Sequence, residues 1–296
     1  MVAIVGRPNV GKSTLLNRLM GEKVAIVSNV PQTTRNQVRG IYSDQRGQIV
    51  FVDTPGVHAN RDRLDKYMNK AAYAMIEDTD CIIHLVDTKD PVGKEEEEIV
   101  KKLLASKISV ILGLNKVDIK TKYIPDYIQL WERVSGKPAT KLKKLTLLPL
   151  SGKEGINIDK LFDFLFSFLP KGPALYPQDT LYDVPQRMVI ADIVREKLLN
   201  IMRHEIPHSL AVIIESIEPR RRKTLYLRVL IVVESESQKK IVIGKSGQIL
   251  KKVGIQAREE LEDLLESKIF LEIFVKQKKK WRDDGSLLEE MGYVSI

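Results

Sequence analysis

The sequence predicts an α/β domain, a mostly parallel sheet with helices on both faces, followed by a smaller α+β domain. Three observations carry this expectation. Residues 1–170 alternate short, continuously apolar runs with amphipathic stretches of helix length, the pattern of strands buried on both faces between crossover helices. Residues 171–185, within PKGPALYPQDTLYDVP, are proline-rich and read as a linker crossing the surface. Beyond them the apolar runs change order to helix–strand–strand–helix–loop–helix–strand. At 296 residues the chain has room for about two such domains, each with its own core.

The strands of the first half are VAIV, QIVFVDTPG, CIIHLVD, SVILGLNKVD and LTLLPLSG, each closing in polar or glycine residues. Ligands of such sheets bind at the carboxyl ends of strands, and the polar motifs fall there. The opening strand is short after Met1, so the pattern expects a few residues upstream. Within 186–276 the first helix puts Ile190, Ile193, Val194, Ile201 and Met202 on one face. LAVIIESIE and TLYLRVLIVVE are strands joined by the basic PRRRK. A later helix puts Ile249, Val253, Ala257, Leu261 and Leu264 on one face, KIFLEIFVK is the last strand, and residues 277–296 form a basic tail.

Composition narrows the partners. A net charge of +9 and a pI near 9.3 favour a polyanion, nucleic acid or an acidic membrane surface. The single cysteine, Cys81, cannot close an internal disulfide and lies in an apolar run, which fits a buried thiol in a reducing compartment. The most apolar stretch, LFDFLFSFLP, is too short to span a bilayer, and no signal peptide precedes the first strand. A cytoplasmic protein is expected.

Gly6-Arg-Pro-Asn-Val-Gly11-Lys12-Ser13 fits G-x-x-x-x-G-K-[ST] between a strand and the helix STLLNRLMG. Its glycines let backbone N–H groups curl around phosphate oxygens, with Asn9, Val10 and Thr14 in the same strand–loop–helix turn. Lys12 would reach the β- and γ-phosphates and Ser13 would hold Mg²⁺. Asp53-Thr-Pro-Gly56 ends its strand as a D-x-x-G, with Asp53 in the Mg²⁺ shell and the Gly56 N–H sensing the γ-phosphate. Asn115-Lys116-Val117-Asp118 ends the strand VILGL, and a carboxylate at Asp118 accepts both N1–H and the 2-amino group of guanine. Adenine offers neither donor in that arrangement, so a buried acceptor would be left unpaired against it. Ser151-Gly152-Lys153 stands where a backbone N–H meets the guanine O6. Four motifs in order, each at a strand end, specify GTP.

A fifth element, Pro31-Gln32-Thr33-Thr34-Arg35, lies in the polar segment after the first helix. Thr33 or Thr34 would close on Mg²⁺ and the γ-phosphate and release after hydrolysis; the residues alone leave the choice open. Val57 follows Gly56 where Ras-like enzymes place a water-orienting glutamine, and valine cannot hydrogen-bond water, so slow hydrolysis is expected. Asn9 resembles the asparagine of GTPases that seat K⁺ in place of an arginine finger; the alternative role is to stabilise the turn. His58 is expected as a solvated loop histidine.

A second glycine loop, Gly244-Lys245-Ser246-Gly247, lacks the spacing and the adjacent K-[ST] of a nucleotide loop. With the preceding Ile243, the following helix and the element order, it fits the G-x-x-G of a KH module, which clamps about four nucleotides of backbone. Lys245 would neutralise phosphate, and Ile241, Ile243, Ile249 and Val253 line the groove or belong to the core. Arg220, Arg221, Arg222 and Lys223, then Lys251 and Lys252, then Lys280 and Arg282 supply cations, and Trp281 either stacks on a base or packs inside.

Taken together, GRPNVGKSTLLN, PQTTR, FVDTPG, NKVD, IVREK, IVIGKSGQ and the tail WRDD…GY resemble the Era family over essentially the whole chain. The resemblance implies an α/β P-loop GTPase domain followed by an α+β type II KH domain. It implies exchange of GTP and GDP, binding to the 3′ end of 16S rRNA, and assistance to maturation of the 30S subunit. Peripheral association with the inner face of the membrane is also implied, without an anchor in the sequence, and the chain is expected to act as a monomer. One departure is Gly152, where the family usually has alanine. A P-loop kinase would need an acceptor site and a lid, and a membrane-signalling GTPase whose second half binds another RNA or a protein is the remaining alternative.

Overall fold

The structure, a computed structural model, describes residues 1–28, 30, 33–59, 61–202, 209–221 and 223–293. Pro31 and Gln32 of the switch segment and Arg222 of the basic hairpin lie outside the described residues. The chain divides into two compact units, the first built from Met1–Val27, Thr34–Arg61 and Asp65–Asp183, the second mainly from Val184 onward.

In the first unit β1 (Val2–Val5), β3 (Gly47–Asp53), β4 (Cys81–Asp87), β5 (Ser109–Asn115) and β6 (Leu145–Pro149) run parallel. The strand order is β6-β5-β4-β1-β3-β2-β7. Alternate residues of the central strands serve opposite faces. Ala3, Val5, Val52, Ile82, Val110 and Leu112 pack with side chains from α2 (Arg63–Glu77), α3 (Lys94–Ser106) and α4 (Ile124–Ser135). On the other face α1 (Lys12–Met20) and α5 (Ile158–Phe168) bury Leu15, Leu16, Leu161 and Leu165. Both faces are dry, which is why these strands read as unbroken apolar runs.

Two strands were not expected. β2 (Val38–Asp44) pairs antiparallel with β3 through a tight turn, and Asp44 holds that turn by accepting from the Arg46 backbone and side chain. VRGIYSD escapes a search for apolar runs because it has glycine and polar residues at half-covered positions. The linker also contributes β7 (Tyr182–Asp183), antiparallel to β2, and Gln48 clasps the Leu175 and Tyr176 backbone. Residues 171–185 are therefore sewn onto the sheet edge rather than merely crossing the surface.

The second unit contains α6 (Gln186–Ile201), β8 (Leu210–Arg220), β9 (Thr224–Val233), α7 (Glu236–Ile243), α8 (Gln248–Leu265), β10 (Lys268–Gln277) and α9 (Gly285–Glu290). Its sheet order is β10-β9-β8, with β10 parallel to β9 and β8 antiparallel to it. Ile190, Val194 and Leu198 of α6 and Val253, Ala257 and Leu261 of α8 bury against Leu227, Val229 and Ile231 of β9. Leu264, expected on that face, is 39% exposed; Leu265 packs inward instead, one residue of drift in an eighteen-residue helix. The tail is no basic arm. Trp281, Leu287, Leu288 and Tyr293 are buried, and Lys278 pairs with Asp284, which caps α9.

Candidate functional site

The phosphate loop is a turn between the end of β1 and the start of α1. Gly11 has φ 101°, and a Cβ there would stand 2.5 Å from the Asn115 amide nitrogen, so the loop and the end of β5 touch only because this residue lacks a side chain. Asn115 donates to the Val10 carbonyl at 2.7 Å and accepts from the Gly152 N–H at 3.0 Å, tying three motifs together. Lys12 is buried and folds back to donate to the Gly6 and Arg7 carbonyls at 3.2 and 2.9 Å. Burial lowers its pKa, opposed by the charges of Asp53 and then Glu96.

At the mouth of the loop Ser13 donates to Asp53 Oδ2 at 2.6 Å and lies 2.8 Å from the Thr34 hydroxyl, which itself reaches Asp53 at 3.3 Å. The structure thus brings Thr34 to Ser13 and Asp53, whereas the Thr33 hydroxyl donates to the Val30 carbonyl at 2.6 Å. Burial pushes the Asp53 carboxyl above its ordinary range, against the pull of Lys12, Ser13 and Thr34. Its second oxygen, Oδ1, is buried with no partner among the described residues.

Thr54, unnoticed in the sequence, fixes the start of the D-x-x-G turn by donating to the Ile4 carbonyl. Val57 donates its N–H to the Gly6 carbonyl at 3.2 Å and turns its side chain into the core. His58 is not a solvated loop residue: its backbone is clasped by Asn69, its ring stands 3.7 Å from buried Asp65, and little of it is exposed. Arg35 is buried. Asn9 is exposed at φ 64°, the left-handed corner of the loop, which is the turn-stabilising geometry.

At the base end Lys116 reaches the Asn9 carbonyl at 2.8 Å and pairs with buried Asp87 at 2.6 Å. Asp87 and Arg18 had no motif to advertise them; Arg18 donates to the Gly152 and Lys153 carbonyls and holds that loop against α1. Asp118 is exposed beside this cradle. The Gly152 N–H is already used by Asn115, and Ser151 Oγ accepts from Glu154. Among the described residues the Lys153 N–H of this turn has no hydrogen-bond partner.

In the second unit Gly244-Lys245-Ser246-Gly247 joins α7 to α8. A Cβ on Gly244 would stand 2.7 Å from Ile249, whereas one on Gly247 would meet nothing within 4 Å. Both glycines have φ near 75°, and Ser246 follows at 52°. Lys245, Ser246, Lys251, Lys252 and Lys280 are exposed, Ile243 and Ile249 half-buried, Ile241 exposed and Val253 fully buried. Trp281 cannot stack on a base: it is wholly buried, and its indole N–H donates to the Ser209 carbonyl at 2.8 Å. Arg282 is half-buried over that ring.

These two sites define a P-loop GTPase joined to a KH module. Residues 1–116 match the family described as "50S ribosome-binding GTPase", and residues 205–282 match the KH domain family. The GTPase Era of Halothermothrix orenii is 44% identical over 99% of this chain and 97% of its own length. That of Carboxydothermus hydrogenoformans is 41% identical over 100% and 97%. Among solved structures, Era in complex with MgGDPNP and nucleotides 1506–1542 of 16S ribosomal RNA superposes with a TM-score of 0.91 at 37% identity, covering 99% and 98% of the two chains. An Aquifex aeolicus Era variant bound to GDP·AlF4⁻ gives 0.90 at 36%, again over 99% and 98%. The chain belongs to the Era family, and it is a GTPase that hydrolyses GTP to GDP and phosphate.

Proposed function

We propose that the chain is a slow GTP-driven switch that grips the 3′ end of 16S rRNA and assists maturation of the 30S subunit. The observation that carries this reading is the Gly247 side of the second loop. The space there is open where a Cβ would project, beside exposed Lys245, Lys251 and Lys252, so a nucleic-acid backbone can approach. The related Era complex with MgGDPNP and a 16S rRNA segment supports it.

In the cradle, Lys12 exchanges its two carbonyl partners for β- and γ-phosphate oxygens, and the loop N–H groups supply the remaining donors. Asp118 takes N1–H and the 2-amino group of guanine, and the Lys153 N–H takes O6. Ser13, Thr34 and Asp53 fit Mg²⁺: three oxygens converge, all of a type the ion prefers, and Asp53 Oδ1 is a buried carboxylate oxygen awaiting a partner. When bound there, Mg²⁺ neutralises charge on the β- and γ-phosphates. Loss of the γ-phosphate releases Thr34, which is the switching step. Val57 points into the core and does not orient water; Asn9 would hold a K⁺ that would supply the charge an arginine finger otherwise brings.

The test is a pair of variants read against two ligands. Gly247→Asp brings a negative charge to the open side and is expected to abolish filter binding of a 1506–1542 fragment, while labelled-GTP titration stays normal. Lys12→Ala is expected to abolish GTP binding and leave fragment binding in nucleotide-free protein. Normal fragment binding by folded Gly247→Asp would end the KH reading. Replacing K⁺ by Na⁺ is expected to slow hydrolysis; equal rates would return Asn9 to its turn role alone.

A further inference from the structure

The first unit carries a cationic face that neither site uses. Lys107, Lys137, Lys141, Lys143 and Lys144 stand around one shallow depression at the end of α3, α4 and the start of β6. All five ammonium-bearing side chains are exposed. None forms an ion pair among the described residues, although the neighbouring Lys101 and Arg133 both pair with Glu97. Glu132, the adjacent carboxylate on α4, is spent on the Ala139 N–H. Among the described residues the Lys144 ammonium touches only a carbonyl, that of Lys107, which leaves its charge uncompensated.

The segment bearing these lysines is fixed. Residues Ala139–Lys141 form a short 3₁₀ turn, Leu142 packs on the core, and the Lys144 carbonyl accepts from the Val110 N–H at 2.8 Å. Buried Leu103 and Trp131 floor the depression, and the lysine stems wall it. Like charges gathered around one depression favour a multivalent anion lying across them. The cations are all lysines, point charges that neutralise phosphates without fixing a bidentate geometry. No exposed aromatic anchor of a protein hot spot lies among them.

We propose that this lysine face is a second RNA contact, gripping the phosphate backbone of structured small-subunit rRNA outside the segment held by the glycine loop. The proposal rests on the rRNA-binding reading above. It is tested with the full chain by anisotropy between 50 and 200 mM salt, using whole 16S rRNA and the 1506–1542 fragment as probes. The triple variant Lys141→Gln/Lys143→Gln/Lys144→Gln is expected to bind GTP and the fragment normally. On whole 16S rRNA it should lose affinity about tenfold or more at 150 mM salt, with the log–log salt slope shallower by about 2 to 3. Arginine at the same three positions should restore both. An unchanged slope on whole 16S rRNA overturns the proposal, as does an equal loss on the fragment, or arginine variants that bind no better than glutamine. Intact fragment binding by Gly247→Asp would instead overturn the glycine-loop reading and leave this face to be judged by its own slope.

Discussion

Asn115, Lys116 and Asp118 sit within four residues of each other and do three different jobs. Asn115 is consumed inside the protein, Lys116 is pinned by Asp87, and Asp118 alone faces outward with its carboxylate available. In the proposed reading, selectivity for the base therefore rests on Asp118. Asp118→Asn turns an acceptor into an amide that suits the N1–H/C2 carbonyl edge of xanthine, and competition binding is expected to shift from GTP towards XTP; an unchanged GTP preference would remove Asp118 from the base site. Cys81 makes the opposite case, a reactive atom made inert. Burial pushes its thiol up to about 12, so the folded chain keeps a proton that the unfolded chain loses near its ordinary pKa. The thiol's contribution to stability is full below the unfolded value of about 8.5 and is lost as pH rises from there through about 12. Iodoacetamide at pH 8 is expected to leave native protein unlabelled and to label it fully in denaturant. The motif residues were legible because phosphate and guanine impose fixed spacings on them. Asp87, Arg18 and Thr54 were not, because their partners are carbonyls or charges brought close only by the fold; for the same reason His58 was misjudged and Trp281 was left open between a base stack and the interior.

At the scale of elements, the sequence announced strands buried on both faces and kept quiet about half-covered ones. CIIHLVD is buried at every position and reads at once, whereas VRGIYSD must be inferred from its partner strand and the Asp44-held turn. α7 had a legible start: Ser235 and Gln238 form a capping box, each side chain bonding the other's backbone. Its end is where the glycines divide their labour. Gly244→Ala drives a methyl to 2.7 Å from Ile249 at φ 75°, so a loss of about 1–3 kcal/mol is expected, while Gly247→Ala meets open space and should cost about 1 kcal/mol. Urea titrations of both variants check the order, and a larger loss at Gly247 would mean that its open side is closed by protein. Trp281→Ala belongs to the same scale. Removing a fully buried indole and its bond to Ser209 is expected to cost about 3–5 kcal/mol in the second unit, with the fragment affinity of the surviving folded protein unchanged.

Each of the two units has its own buried interior, the first on both faces of the seven-stranded sheet and the second between α6, α8 and the three-stranded sheet. Residues 6–14, Thr34, and residues 53–56, 115–118 and 151–153 belong to the first unit, and the glycine loop to the second, with which Thr33 of the switch segment is also grouped. A ligand that binds only the folded form stabilises the unit it binds by RT ln(1 + [L]/Kd), about 2.7 kcal/mol at a hundredfold excess over Kd. A unit of the first one's size shifts by about 2–4 °C per kcal/mol, and the smaller second unit by somewhat more. Calorimetry is therefore expected to resolve two transitions. Saturating GTP analogue with Mg²⁺ should raise one of them by about 5–10 °C and leave the other in place, and a saturating 1506–1542 fragment should do the reverse. Lys12→Ala should erase the first shift alone, and Gly247→Asp the second alone. A single transition raised equally by either ligand would show that the two cores melt as one, and the loops would then have to be treated as coupled sites rather than as independent grips.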